Sequence, residues 1–126
     1  MNRSIFNKLI AFLCLLSMSF TLSSCGTNKA KKGYDLYVED LARNYGTTRA
    51  EMKKVIENGL FINYVYVKDT KTYCYKGSYG YGESTTFYFT YFESNNLVGT
   101  YNAEELYELA LQMDSKDIKH GTLTFN

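Results

Sequence analysis

The chain has 126 residues, with 14 Lys and Arg against 13 Asp and Glu, 45% hydrophobic and 21% charged residues, and neither Pro nor Trp. That length holds one small globular unit and excludes a large multidomain enzyme. The near balance of charge supplies none of the basic excess that non-specific phosphate binding needs, so nucleic acid is disfavoured as a partner.

The first residues have the form of an export leader. Arg3 and Lys8 supply a positive start, and residues 9–16 (LIAFLCLL) form an apolar run of the length of a signal-peptide core. Leu22-Ser23-Ser24-Cys25-Gly26 follows, an aliphatic residue three before a Cys with small residues between, and it resembles the lipobox of bacterial lipoproteins. The resemblance implies that the Cys25 thiol receives a diacylglyceryl group, that the peptide is cut just before it, and that the new amino group is often acylated. Because each buried methylene adds about 0.8 kcal/mol, two or three chains make a durable anchor. The implied protein is held at the exported face of a bacterial membrane without spanning it. An uncleaved transmembrane helix is the alternative, weakened by Ser17, Ser19, Thr21, Ser23, Ser24 and Thr27 within the uncharged stretch.

Three segments follow from this: residues 1–24 as a cleaved signal peptide, 25–33 as a lipidated tether, and 34–126 as a single α+β domain. Cys14 leaves with the leader and Cys25 is consumed by lipid. Cys74 is then alone, and no intramolecular disulfide is available. In the tether GTNKAKKG, Lys29, Lys31 and Lys32 form either a solvated spacer or a patch attracted to anionic headgroups, at about 1 kcal/mol per Lys.

Within the domain, apolar residues at Leu36 or Tyr37, Leu41 and Tyr45 predict a first helix over residues 34–44, stopped by Gly46. Thr48 with Glu51 forms a capping box for a second helix that presents Met52, Val55 and Ile56 and stops at Asn58-Gly59. Beyond Gly59 the period changes to two. Residues 60–68, 72–76 and 85–92 are rich in β-branched and aromatic side chains and predict three antiparallel strands, the first two joined by a hairpin at 68–71. Ser94-Asn95-Asn96 signals a turn into a short fourth strand at 97–100. Asn102 with Glu105 repeats the capping pattern ahead of a helix reaching about residue 113, and residues 121–125 alternate like an edge strand. The predicted architecture is two N-terminal helices packed on a three- to four-stranded antiparallel sheet, with a further C-terminal helix.

The segment 41–55 resembles a helix-turn-helix in its Ala, turn Gly and apolar spacing, but an exported protein does not meet DNA. The stretch 36–99, with its Gly-Thr-Thr helix start, Tyr-rich hairpin and TTFYFTYF strand, resembles the helix-helix-sheet unit of SmpA/OmlA-type small lipoproteins and of β-lactamase inhibitor proteins. That resemblance implies a role in envelope assembly or protein binding; it places no functional residue.

Twelve aromatic residues lie between positions 61 and 92. Alternation gives the first strand apolar residues on both faces, so part of this aromatic surface is expected to be exposed. Tyr is favoured where proteins bind partners, which makes Tyr64, Tyr66, Tyr73, Tyr75, Tyr79 and Tyr81 candidate contact residues. The alternative is that Tyr covers a thin core in a domain without Trp. The loop 77–83 (GSYGYGE) lacks the Lys-Ser/Thr of a phosphate loop and joins two strands, so it is expected to display Tyr79 and Tyr81.

His120 is the only His, so Cys74 and His120 form the one conceivable thiol–imidazole pair, with no orienting carboxylate. One His and one thiol do not build the usual zinc sites without carboxylates, and no cofactor or metal is expected. The reading is a non-catalytic, lipid-anchored binding module for an envelope protein or glycan. A small envelope hydrolase and a structural lipoprotein without a dedicated ligand are the alternatives.

Overall fold

The computed structural model describes residues 26–79 and 85–125. The leader, Cys25 and Tyr81 lie outside the described residues. Helix α1 (Gly26–Tyr45) and helix α2 (Arg49–Ile56) precede strands β1 (Leu60–Val67), β2 (Thr72–Tyr79), β3 (Thr86–Phe92) and β4 (Leu97–Gly99). Helix α3 (Ala103–Leu111) and strand β5 (Ile118–Thr124) complete the order. The sheet is antiparallel in the order β4-β3-β2-β1-β5. The fold is α+β, with α1 and α2 on one face of the sheet and α3 on the other.

Period-two alternation loads both faces. Ile62, Tyr64, Tyr73, Tyr75, Phe89, Tyr91 and Leu123 pack against Ala30, Tyr34, Val38, Ala42 and Met52 of the helices. On the other face Val65, Val67, Cys74, Phe92 and Ile118 pack against Leu106, Tyr107, Ala110 and Met113. A sheet buried on both sides needs apolar residues at consecutive positions, and this is the origin of the dense aromatic and β-branched runs.

The expected tether is instead the first two turns of α1, with Ala30 and Tyr34 fully buried. Its helical face is continuous with the rest: Ala30, Gly33/Tyr34, Tyr37/Val38, Leu41/Ala42 recur three and four residues apart. Gly33 lets α1 lie close on the sheet, since a Cβ there would come within 2.8 Å of the Tyr91 Cβ and closer still to the Tyr75 hydroxyl. Deeper along the helix the Tyr37 ring stacks on Phe89, with centroids 3.9 Å apart and planes within 4°. Such a pair adds about 0.5–1.5 kcal/mol beyond its buried area.

Two aromatic rings complete the sheet by covering glycines. Tyr64 lies over its β5 partner Gly121 and Phe87 over its β2 partner Gly77, so a side chain at either glycine would strike a ring. The Thr48 hydroxyl accepts from the Glu51 amide at 3.2 Å, capping α2 as the sequence predicts. Asn102 does not repeat the motif. It sits at φ 54°, in the left-handed region, and its side chain makes no cap hydrogen bond. The tight turn out of β4 sets that backbone conformation, while Glu104 and Glu105 in the first turn of α3 complement its dipole.

Candidate functional site

The expected tyrosine surface is for the most part the core. Tyr64, Tyr73 and Tyr75 are buried and Tyr66 and Tyr79 partly so, because α1 and α2 cover the sheet face on which these rings stand. Two of their hydroxyls, those of Tyr75 and Tyr79, tie the sheet to the helices, and that of Tyr66 reaches the turn after β3. Tyr75 donates to the Ala30 carbonyl at 2.8 Å, Tyr79 to the Ile56 carbonyl at 2.9 Å, and Tyr66 to the Glu93 carboxylate at 3.1 Å. Tyr34 also finds an acceptor, donating to Glu57 at the end of α2 at 2.7 Å, as does Tyr91, donating to the Asn96 side-chain oxygen in the turn after β3 at 2.8 Å. A phenol under a helix buries a large ring and still finds an acceptor for its polar tip, which Phe does not need and Trp reaches less easily. The loop expected at 77–83 begins later: residues 77–79 belong to β2.

A partly exposed polar surface lies on the opposite face, at the margin of α3. Register places Thr122 beside Asn63, Asn63 beside Lys76, and Lys76 beside Tyr88, so four adjacent strands carry one straight row. The row is wired internally. The Thr122 hydroxyl donates to the Asn63 side-chain oxygen at 3.0 Å, and the Lys76 ammonium stands 6.0 Å from the centre of the Tyr88 ring. Tyr88 is held from behind by Tyr107 of α3, centroids 5.8 Å apart. Phe61, Ser78 and Thr86 form the next row outward, again in register. Asn63 and Lys76 interrupt apolar strands and signal a solvent-facing patch; only strand register aligns them with Tyr88 and Thr122.

The row Thr122–Asn63–Lys76–Tyr88 offers hydrogen-bond donors and acceptors, one cation and one aromatic ring on rigid strands. It offers no activated nucleophile. Cys74 and His120 each stand opposite Val65 on the strands flanking β1, about 10 Å apart across two strand spacings, so the thiol–imidazole pair does not form. Cys74 is fully buried, and burial pushes its thiol far above the ordinary range. A thiol reagent should therefore leave Cys74 untouched until denaturant is added; rapid labelling of Cys74 in the native state would contradict the burial.

An open groove of about 510 Å³ beside the start of α3 is lined by Thr100, Asn102, Ala103, Glu104, Glu105 and Glu108. Among the described residues no group of three or more His, Cys, Asp or Glu is arranged to hold a metal ion. No helix of the described residues is long and apolar enough to cross a membrane. The chain matches no known protein family, no curated protein and no solved structure.

Proposed function

We propose that the chain is an exported lipoprotein, anchored through acyl chains on Cys25, that acts as a non-catalytic binding module for an envelope protein or glycan. The single observation that carries the binding role is the row Thr122–Asn63–Lys76–Tyr88, a polar and aromatic strip exposed at Thr122 and half-buried at the other three positions, in register across four strands. Rigid strands hold these side chains at fixed spacing, which lowers the ordering cost of binding. Its hydrogen-bonding character suits a polar partner better than an apolar one. The anchor is supported by the leader and its LSSC sequence.

The two parts are tested separately. Cys25→Ser should abolish fatty-acid labelling and block normal processing, and continued labelling would refute the anchor. A photo-crosslinker at exposed Thr122 should capture a discrete partner in intact cells, whereas one at exposed Glu39 on α1 should not. Asn63→Ala with Lys76→Ala should weaken that capture at least tenfold, as truncation at an interface centre does. The melting temperature of the double variant is measured alongside, so that lost capture is read only from protein that is still folded. Equal capture from both positions, or capture unchanged by the double substitution, would remove the binding role from this face.

A further inference from the structure

We infer that the end of the domain where α1 begins is a membrane-apposed surface that binds anionic lipid headgroups through Lys31, Lys32, Lys68, Lys71 and Lys116. The inference rests on the lipid-anchor reading for its orientation and deepens it.

Topology assembles this surface from four separate parts of the chain. Lys29 pairs with Glu93 at 3.0 Å, Gly33 lies over Tyr91, and Tyr37 stacks on Phe89, so α1 runs down β3 from the turn that follows it. That turn is tied to the β1–β2 hairpin, where the Glu93 amide donates to the Lys71 carbonyl at 3.0 Å. The hairpin is tied in turn to the segment before β5: the Lys68 ammonium donates to the Lys116 carbonyl at 3.0 Å and the Lys68 amide to the Asp117 carbonyl at 3.1 Å. The N-terminus of α1 and three turns thus share one end of the domain.

Charge at this end departs from the balance of the chain. Lys31, Lys32, Lys68, Lys71 and Lys116 are exposed, against exposed Asp69 and Asp114 and half-buried Asp117. Glu93 is neutralised within the fold, held by Lys29 and by the Tyr66 hydroxyl. Leu97, 48% exposed at the start of β4, adds an apolar side chain beside these turns. The first turn of α1 holds no acidic residue, and Lys31 and Lys32 follow it closely.

The anchor supplies that geometry. Gly26 is already helical, so the lipidated Cys25 stands one peptide step, about 3.8 Å, before a rigid element. An anchor this close to α1 turns this end of the domain toward the headgroups, whose attraction for lysines reaches over a Debye length of about 8–10 Å. Each Lys near an anionic surface strengthens contact about fivefold.

The test uses the full-length lipidated protein in phosphatidylcholine vesicles with and without phosphatidylglycerol, the vesicles carrying a nitroxide-headgroup quencher. Cys25 is acylated and Cys74 buried, so a dye is placed by Ser115→Cys at this end or by Thr47→Cys at the far end of α1, roughly 30 Å away along the helix. Quenching at position 115 should exceed that at 47 several-fold and rise with phosphatidylglycerol. Lys68→Glu with Lys116→Glu should abolish the rise while the anchor still retains the protein on vesicles. Lys31→Gln with Lys32→Gln, at exposed helix positions, gives the same reading should the first pair disturb folding. Equal quenching at both positions, no response to phosphatidylglycerol, or no effect of either lysine pair overturns the inference. Absence of fatty-acid label with the quenching pattern intact would instead overturn the anchor and leave the surface standing.

Discussion

Tyr75→Ala is expected to lower stability by about 3–5 kcal/mol, the range for deleting a large aromatic side chain from a packed core. The Tyr75 ring stacks on Phe89 at 4.2 Å with planes 10° apart and lies about 6 Å from Tyr64 and Tyr73. Its hydroxyl reaches across the layer to the Ala30 carbonyl of α1. Truncation therefore opens a cavity beneath the helix and removes its tie to the sheet at once. For a domain of this size the melting temperature should fall by about 15 °C or more. Tyr75→Phe separates the two contributions: it keeps the stack, loses the hydroxyl, and should cost about 1 kcal/mol. Gly33→Ala attacks the same contact from the helix side. Alanine gains about 1 kcal/mol of helix propensity there, yet its Cβ would meet Tyr75 and Tyr91, so the net change should be destabilising. A melting temperature that moves by less than about 5 °C for Tyr75→Ala would mean that α1 is not docked as described.

The same hydroxyl explains why one part of the reading succeeded and another failed. Strand positions, the hairpin at 68–71 and the α2 cap were legible because alternation, turn residues and Thr48 act locally. Which face a tyrosine occupies was legible too, since Ile62, Tyr64 and Tyr66 fall together by period two. What covers that face is not legible, because it depends on where α1 lies, and α1 begins eight residues before the apolar pattern that marks it in the sequence. Lys29, Lys31 and Lys32 masked a helical stripe whose buried members there are only Ala30 and Gly33, too small to stand out as apolar. Those small residues are the ones that admit Tyr75 and Tyr91 beneath the helix. The tyrosines thus have the amphipathic character that makes them suitable for partners, but the partner is the protein's own first helix. The polar strip on the other face was hidden for a different reason: Asn63, Lys76, Tyr88 and Thr122 come from four strands, and only register brings them into line.

Raising the pH above 10 should unfold the domain cooperatively, and earlier than its general stability would suggest. Tyr34, Tyr73, Tyr75 and Tyr91 are all buried, and each phenol is pushed above its ordinary value first by desolvation, with nearby carboxylates adding to the effect for Tyr34, Tyr73 and Tyr91. Partly buried Tyr37 is pushed up to about 12 by the same cause. In the unfolded chain these groups ionise near pH 10. The folded state therefore holds more protons than the unfolded state above that pH, and stability falls as pH rises. Four phenols kept neutral remove about 5 kcal/mol for each pH unit above 10, at about 1.4 kcal/mol per proton. A typical domain stability of 5–15 kcal/mol is then exhausted within about one to three units. Phenolate absorbance should appear as a steep, cooperative step coincident with loss of circular dichroism. Tyr75→Phe should flatten the step, because one fewer proton is released on unfolding. A smooth titration of every tyrosine near pH 10 with the fold intact would contradict the burial of these four rings, and with it the docking of α1 over the sheet.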